Sequence, residues 1–166
     1  MTLNIASYSD DGRSRLLSTF AHTPFELRCG AYVVRCESVE GFWQGLKWPD
    51  GSAERGRVFG LWGLEAKLAG GDAPSGVIDF CGQRVLRGGP EHHELAERAM
   101  RAKLDQNRDV QAALLATVGL RLTHNLIDED GRSVPDSSTL PKTVFVEIWI
   151  RLRDEITRSR PIAADS

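Results

Sequence analysis

Lysine is scarce in this chain. Of its 21 basic residues seventeen are arginine and only four are lysine, at Lys47, Lys67, Lys103 and Lys142. Arginine holds its proton under all ordinary conditions and lysine can give it up, so each retained lysine marks a position to watch. Cysteine is almost as sparse: Cys29, Cys36 and Cys81, with no C-x-x-C pair. This odd set excludes a zinc ribbon or a disulfide-framed mini-protein and reads as reduced thiols in a cytoplasmic protein. No apolar run approaches the ~18 residues of a membrane span, and the first residues lack the charged start and apolar core of a signal peptide. A basic excess is missing too. The formal net charge is −2, so a nucleic-acid substrate would need a local patch rather than a general positive field. The sequence has no Gly-x-Ser-x-Gly elbow, and the glycine pairs at 70–71 and 88–89 lack the Lys-Ser/Thr that follows in a phosphate loop. His92 and His93 are adjacent, so they point about 100° apart on a helix and cannot form the i,i+4 zinc pair. They read as a solvated first turn, and His124 stands alone. Neither a metal nor a cofactor is expected.

What is present suits one globular domain. The 166 residues are 41% hydrophobic and 27% charged, enough to bury a sizeable core. A short strand is expected within Leu3–Tyr8, then a short amphipathic piece from Ser14 to Phe20. Hairpins are expected over 24–34, turning at Cys29-Gly30, and over 77–86, turning at Cys81-Gly82. Between them lie the helix opening at Ser38 and a glycine-interrupted helical stretch over 52–69. Residues 72–76 read as a loop. Pro90 starts the strongest helix, which runs to about Gln106 with Leu95, Ala99, Met100 and Ala102 inward. A second helix follows Asn107, with Val110, Leu114, Leu115 and Val118 on its apolar side and Gly119 as its stop. Arg121–Leu126 reads as a short strand and 128–133 as a polar loop. The segment from Val144 fits both a strand alternation and a helical stripe. The helical stripe Phe145, Ile148, Trp149, Leu152, Ile156 persists longer, so a helix is expected. The fold class is therefore mainly α, an α-rich α+β domain over 1–160, with a flexible tail over 161–166.

The stretch Glu37–Lys47 carries the clearest chemistry. Ser38 is a good N-cap and Glu40 suits the first turn. Val39, Phe42, Trp43 and Leu46 form an apolar stripe, and Glu40, Gln44 and Lys47 form a polar stripe beside it. An ordinary surface helix sets its charges opposite the buried face; here they border it, as a helix lining a pocket would. A carboxylate can stabilise an oxocarbenium-like centre or activate water. A lysine of lowered proton affinity can attack an opened sugar aldehyde as a Schiff base. With Lys67, the later Asp136 and an aromatic such as Trp43 to stack a base, the inventory suffices for N-glycosidic cleavage.

These residues also carry a family resemblance. Ser38-Val39-Glu40-x-x-x-Gln44-x-x-Lys47 resembles the S-x-E-x-x-x-Q-x-x-K signature of the NADAR (YbiA-like) superfamily. Leu17-Ser18-Thr19-Phe20 resembles its L-S-N-F, and Pro24-Phe25 to Tyr32 its P-F…G-x-x-Y run. Glu65-Ala66-Lys67 matches its A-K step. Ala99–Asn107 resembles its M-x-x-A-K-F-x-Q-N, and Leu114–Thr117 with Leu122 its L-L-x-T-G…L. The motifs occur in order over roughly residues 15–156. The resemblance implies a compact, mainly helical YbiA-like domain with short strands. It also implies N-glycosidase activity on ADP-ribosylated nucleotides or nucleic acid, or on riboflavin-pathway intermediates carrying ribose phosphate. A binding module that kept the pocket and lost catalysis is the alternative. The match carries over Glu40 as the principal acid and Lys47 as pocket base or nucleophile, with Asp136 as a loosely aligned second acid. Trp43, Gln44, Lys67, Arg15 and Phe20 are the candidate substrate contacts. The chain departs from the family at one place: Asp136–Pro141 stands where many members have an acidic-x-x-Trp-Gly segment, as in a divergent subgroup.

Overall fold

A computed structural model describes residues 1–71, 73 and 76–160. The loop expected over 72–76 lies partly, and the tail over 161–166 wholly, outside the described residues. In chain order the elements are β1 (Thr2–Asn4), α1 (Gly12–Leu17), β2 (Phe25–Cys29), β3 (Tyr32–Cys36), α2 (Val39–Gly45), α3 (Ala53–Phe59) and α4 (Gly63–Ala69). Then come β4 (Val77–Phe80), β5 (Gln83–Leu86), α5 (Pro90–Gln106), α6 (Arg108–Leu115), β6 (Arg121–Thr123) and α7 (Lys142–Arg158). The strands form three separate two-stranded ladders: a parallel β1–β6 pair and the antiparallel hairpins β2–β3 and β4–β5. The α-rich α+β class expected from the sequence is the class observed.

α2 is buried along its whole length, and its three faces explain how. Val39, Phe42 and Leu46 point into the core, where Phe42 meets Phe25, Phe59 and Phe80 edge-on or stacked. A second face carries Gly41 and Gly45. A Cβ at Gly41 would sit 2.5 Å from the Leu61 carbonyl, and one at Gly45 would sit 2.4 Å from the Phe59 ring. These two positions let α2 seat directly on the Phe59 ring and on the Leu61 backbone at the end of α3. The third face holds Glu40 and Gln44. Ser38 caps the helix as expected, accepting from the Gly41 N–H at 2.8 Å and donating to the Leu61 carbonyl at 2.8 Å. The other end is closed by Arg55 of α3. Its buried guanidinium donates to the carbonyls of Gly45, Leu46, Trp48 and Asp79 and to the Asp50 carboxylate. The last-turn carbonyls that a helix leaves without partners are thus satisfied.

The last element is a helix, α7, and its wholly buried residues Phe145, Ile148, Trp149 and Leu152 follow the helical stripe. Several expected elements are shorter; the strand expected over Arg121–Leu126, for one, ends at Thr123. β1 ends at Asn4 because Ser14 takes over the backbone there: its hydroxyl donates to the Asn4 carbonyl and accepts from the Ala6 N–H. α6 stops at Leu115, since Thr117 turns its hydroxyl back onto the Leu114 carbonyl at 2.6 Å. Val118 therefore falls outside the apolar stripe and is exposed.

Candidate functional site

Glu40 is held at the pocket face of α2 by three bonds. Its backbone N–H donates to the Thr19 carbonyl at 3.0 Å. Its carboxylate accepts from the Thr19 hydroxyl at 2.9 Å and from the Gln44 amide at 2.8 Å. Each oxygen thus has one fixed donor and lone-pair capacity left for a ligand or water. The side chain is only 8% exposed. Gln44 is fixed by that bond and by Gly70, where a Cβ would overlap its side-chain oxygen at 1.8 Å. That oxygen is buried and unpaired among the described residues.

Lys47 stands two residues beyond the end of α2, in the turn that follows it. It is half-buried, and its ammonium makes no hydrogen bond or ion pair among the described residues. Burial lowers its proton affinity first, and the charge of Arg87 lowers it further, against an opposing pull from Glu40. A lysine so placed reaches its neutral, nucleophilic form more readily than a solvated one.

Trp43 presents its face to His92 rather than to an open pocket. The rings stack at 3.7 Å between centroids and 7° between planes. This overturns the reading of His92 as part of a solvated first turn: the residue is 1% exposed. Its Nδ1 accepts from the Gly88 N–H at 2.9 Å. Burial pushes its proton affinity down to a pKa of about 3, helped by the positive fields of His93, Arg87 and Lys47. His92 is therefore neutral near pH 7 with its proton on Nε2, and that buried atom has no partner among the described residues. His93 packs separately, against the Thr139 carbonyl at 2.8 Å.

Among the described residues are two clefts, and neither is lined by a residue of α2. One, of about 330 Å³, brings together Lys67, His124, Asn125, Asp136 and Lys142. Asp136 there is a capping residue in part: one carboxylate oxygen accepts the Lys142 N–H at 2.9 Å, at the start of α7. The Lys142 ammonium is tied to Asn125 at 3.0 Å. His124 bonds the Ile5 carbonyl through Nδ1 at 2.7 Å, and burial lowers its proton affinity although the charges of Asp136 and Glu40 both act to raise it. The field of Glu40 thus reaches this cleft. The other cleft, of about 520 Å³, is lined by Arg15, Phe20 and His22. Arg15 is exposed and spends one donor on the Ser9 carbonyl at 2.6 Å. The structure therefore sets Glu40, Gln44 and Trp43 on α2 with Lys47 in the turn after it, Lys67 and Asp136 together in one cleft, and Arg15 and Phe20 in a separate cleft.

Thr19, Arg87, His92 and His124 join the site although sequence reasoning passed over them. Thr19 had a signal, since it stands inside the L-S-x-F motif just before Phe20. Arg87 and His92 had one only in combination, as a basic residue and a histidine around Gly88-Gly89-Pro90 at a helix start. Among the described residues no group of three or more His, Cys, Asp and Glu side chains is arranged to hold a metal ion, and no helix is long and apolar enough to cross a membrane.

A family model described as Bacteriophage protein GP30.3 matches residues 13–154. Among solved structures, the NMR structure of the E. coli protein YbiA aligns with 98% of this chain and 90% of that chain, with a TM-score of 0.63 and 18% sequence identity. That likeness concerns the fold. No curated protein matches the chain in sequence.

Proposed function

We propose, from the premise that this chain belongs to the bacteriophage protein GP30.3 family and has a YbiA-like fold, that it is an N-glycosidase of ribosyl-phosphate substrates. Removal of ADP-ribose from a nucleobase is its main reaction in this reading. The observation that carries the proposal is a pinned, buried carboxylate, Glu40, on α2 with an unpaired, half-buried lysine, Lys47, in the turn that follows, near enough for the Glu40 charge to act on it.

In the reaction the bond from the sugar C1′ to the base nitrogen breaks. The base leaves with the bonding electron pair and takes up a proton, and positive charge develops on C1′ and the ring oxygen. The Glu40 carboxylate stabilises that charge and takes a proton from the water that adds to C1′. Lys47 protonates the departing base. Alternatively, in its neutral form, it adds to the C1′ aldehyde of the opened sugar and expels water to give a Schiff base. Thr19 and Gln44 are positioning residues, since they fix both carboxylate oxygens.

The test is release of ADP-ribose from ADP-ribosyl-guanine DNA or RNA. Glu40→Gln, which keeps the shape and the neighbouring contacts, is expected to lower the rate at least ~100-fold; an unchanged rate overturns the assignment of Glu40. Borohydride added during turnover separates the two roles of Lys47: a covalent adduct absent from Lys47→Ala marks the Schiff base, and no adduct marks proton transfer.

A further inference from the structure

The groups around the start of α5 are donors without acceptors, and the reaction above leaves Arg87 and His92 unused. Gly88 joins Arg87 to His92 through its N–H, His92 stacks on Trp43, and Trp43 stands one helical turn before Lys47. The three groups are near enough to act on one another: the charges of Arg87 and Lys47 both reach His92, and that of Arg87 reaches Lys47. Three observations then converge. His92 Nε2, which carries the ring proton, is buried with no partner, and so is Nε of Arg87. Neither Arg87 nor Lys47 makes an ion pair among the described residues. The 17-residue helix α5 starts beside them at Pro90, with Gly89 as N-cap and no side-chain cap.

Burying cationic and N–H groups without acceptors is costly, and folds tolerate it where a ligand completes the set. The carboxylates at hand do not complete it. Glu40 is engaged by Thr19 and Gln44, and Glu91 is exposed on the first turn of α5. His93 faces the Thr139 carbonyl. An anion would meet positive charge and a directed N–H here, a combination that binds phosphate.

We propose that Arg87 and His92, beside Lys47 and the start of α5, form a subsite for the phosphate or pyrophosphate group carried by ribose. The subsite rests on the proposed function only in lying beside Glu40; binding there does not require turnover. His92 acts in it as an uncharged donor. Its neutral ring keeps the stack on Trp43 and offers one N–H without adding a third buried charge.

Inorganic pyrophosphate and ribose 5-phosphate are the probes, read by calorimetry and by the ¹⁵N signal of His92 Nε2. Either anion is expected to bind and to shift that signal. Arg87→Gln, and His92→Phe, which keeps a ring against Trp43 but removes the donor, are each expected to weaken binding at least tenfold. Retained amide dispersion in both variants shows that the fold is intact. Absence of binding by both probes overturns the subsite, as does binding that both variants leave unchanged. Binding lost instead in Lys142→Gln also overturns it, because the anion then occupies the cleft around His124. Pyrophosphate binding with these signatures alongside no ADP-ribose release would sink the glycosidase reading and leave the subsite standing. Turnover that depends on Glu40 but is indifferent to Arg87→Gln and His92→Phe would do the reverse.

Discussion

Lys103 lies wholly buried in α5, with its ammonium bonded to the Ser18 carbonyl at 2.7 Å and 5.8 Å from the centre of the Trp149 ring. No carboxylate pairs with it among the described residues. Burial brings its pKa down to about 7, against an ordinary value near 10.4. Between pH 7 and about 10.4 the unfolded chain holds a proton that the folded chain has lost, so stability rises with pH across that window. Below pH 7 both states are charged at this residue, and the folded state carries the full penalty. Lys103→Met removes the buried charge, keeps much of the side chain's volume, and leaves the Ser18 carbonyl its bond from the Ala21 N–H. It is expected to match or exceed the wild type in stability at pH 6.5 and to flatten the rise above pH 7, as urea unfolding at several pH values would read. A wild-type midpoint that does not rise between pH 7 and 10 overturns the account. Sequence legibility at this scale followed the same logic. Ser38 and Glu40 were readable because capping and helix phase are local. The burial of Lys103 and His92 was not, because it depends on Trp149 and Trp43, partners 46 and 49 residues away.

At the scale of elements, α2 is short, and its own hydrogen bonds cannot stabilise it. Its stability comes from both ends and all faces: Ser38 at the start, Gly41 and Gly45 against α3, and Arg55 at the finish. Periodicity revealed the polar stripe of Glu40, Gln44 and Lys47. It did not reveal Arg55, which sits in a glycine-broken stretch where one arginine among seventeen carried no local signal. Yet Arg55 fixes the turn that follows α2 and therefore the direction of Lys47. Arg55→Met leaves the carbonyls of Gly45, Leu46 and Trp48 without their donor in a buried setting, at a cost of about 3 kcal/mol. Denaturant unfolding should show that loss. At temperatures where the variant is still folded, the proposed cleavage should slow through misplacement of Lys47, so adding Lys47→Ala to Arg55→Met should slow it little further. A variant as stable as wild type, or one in which the two losses simply multiply, contradicts this role for Arg55.

Across the whole molecule, the two hairpins are joined covalently: Cys29, at the end of β2, is bonded to Cys81, in the turn between β4 and β5, leaving Cys36 as the free, buried cysteine. This corrects the expectation of three reduced thiols. Counting cysteines could not show that two turns 52 residues apart meet. The trace in the sequence was the Cys-Gly pair that marks the turn of each hairpin. α5 lies across the same junction, where Arg98 bonds the Arg28 carbonyl and lies 6.0 Å from the centre of the Phe80 ring, so packing and covalent bond hold the hairpins together. Closing a loop of that length restricts the unfolded chain and contributes up to about 4 kcal/mol. Thiol titration of the unfolded, unreduced protein should find one reactive group, and three after reduction. In a Cys36→Ala background, Cys81→Ala or added reductant should lower the urea midpoint by an amount matching several kcal/mol, with Arg98 and the core retaining the native arrangement. Three thiols before reduction, or a midpoint indifferent to both treatments, would show that the hairpins are held by packing alone.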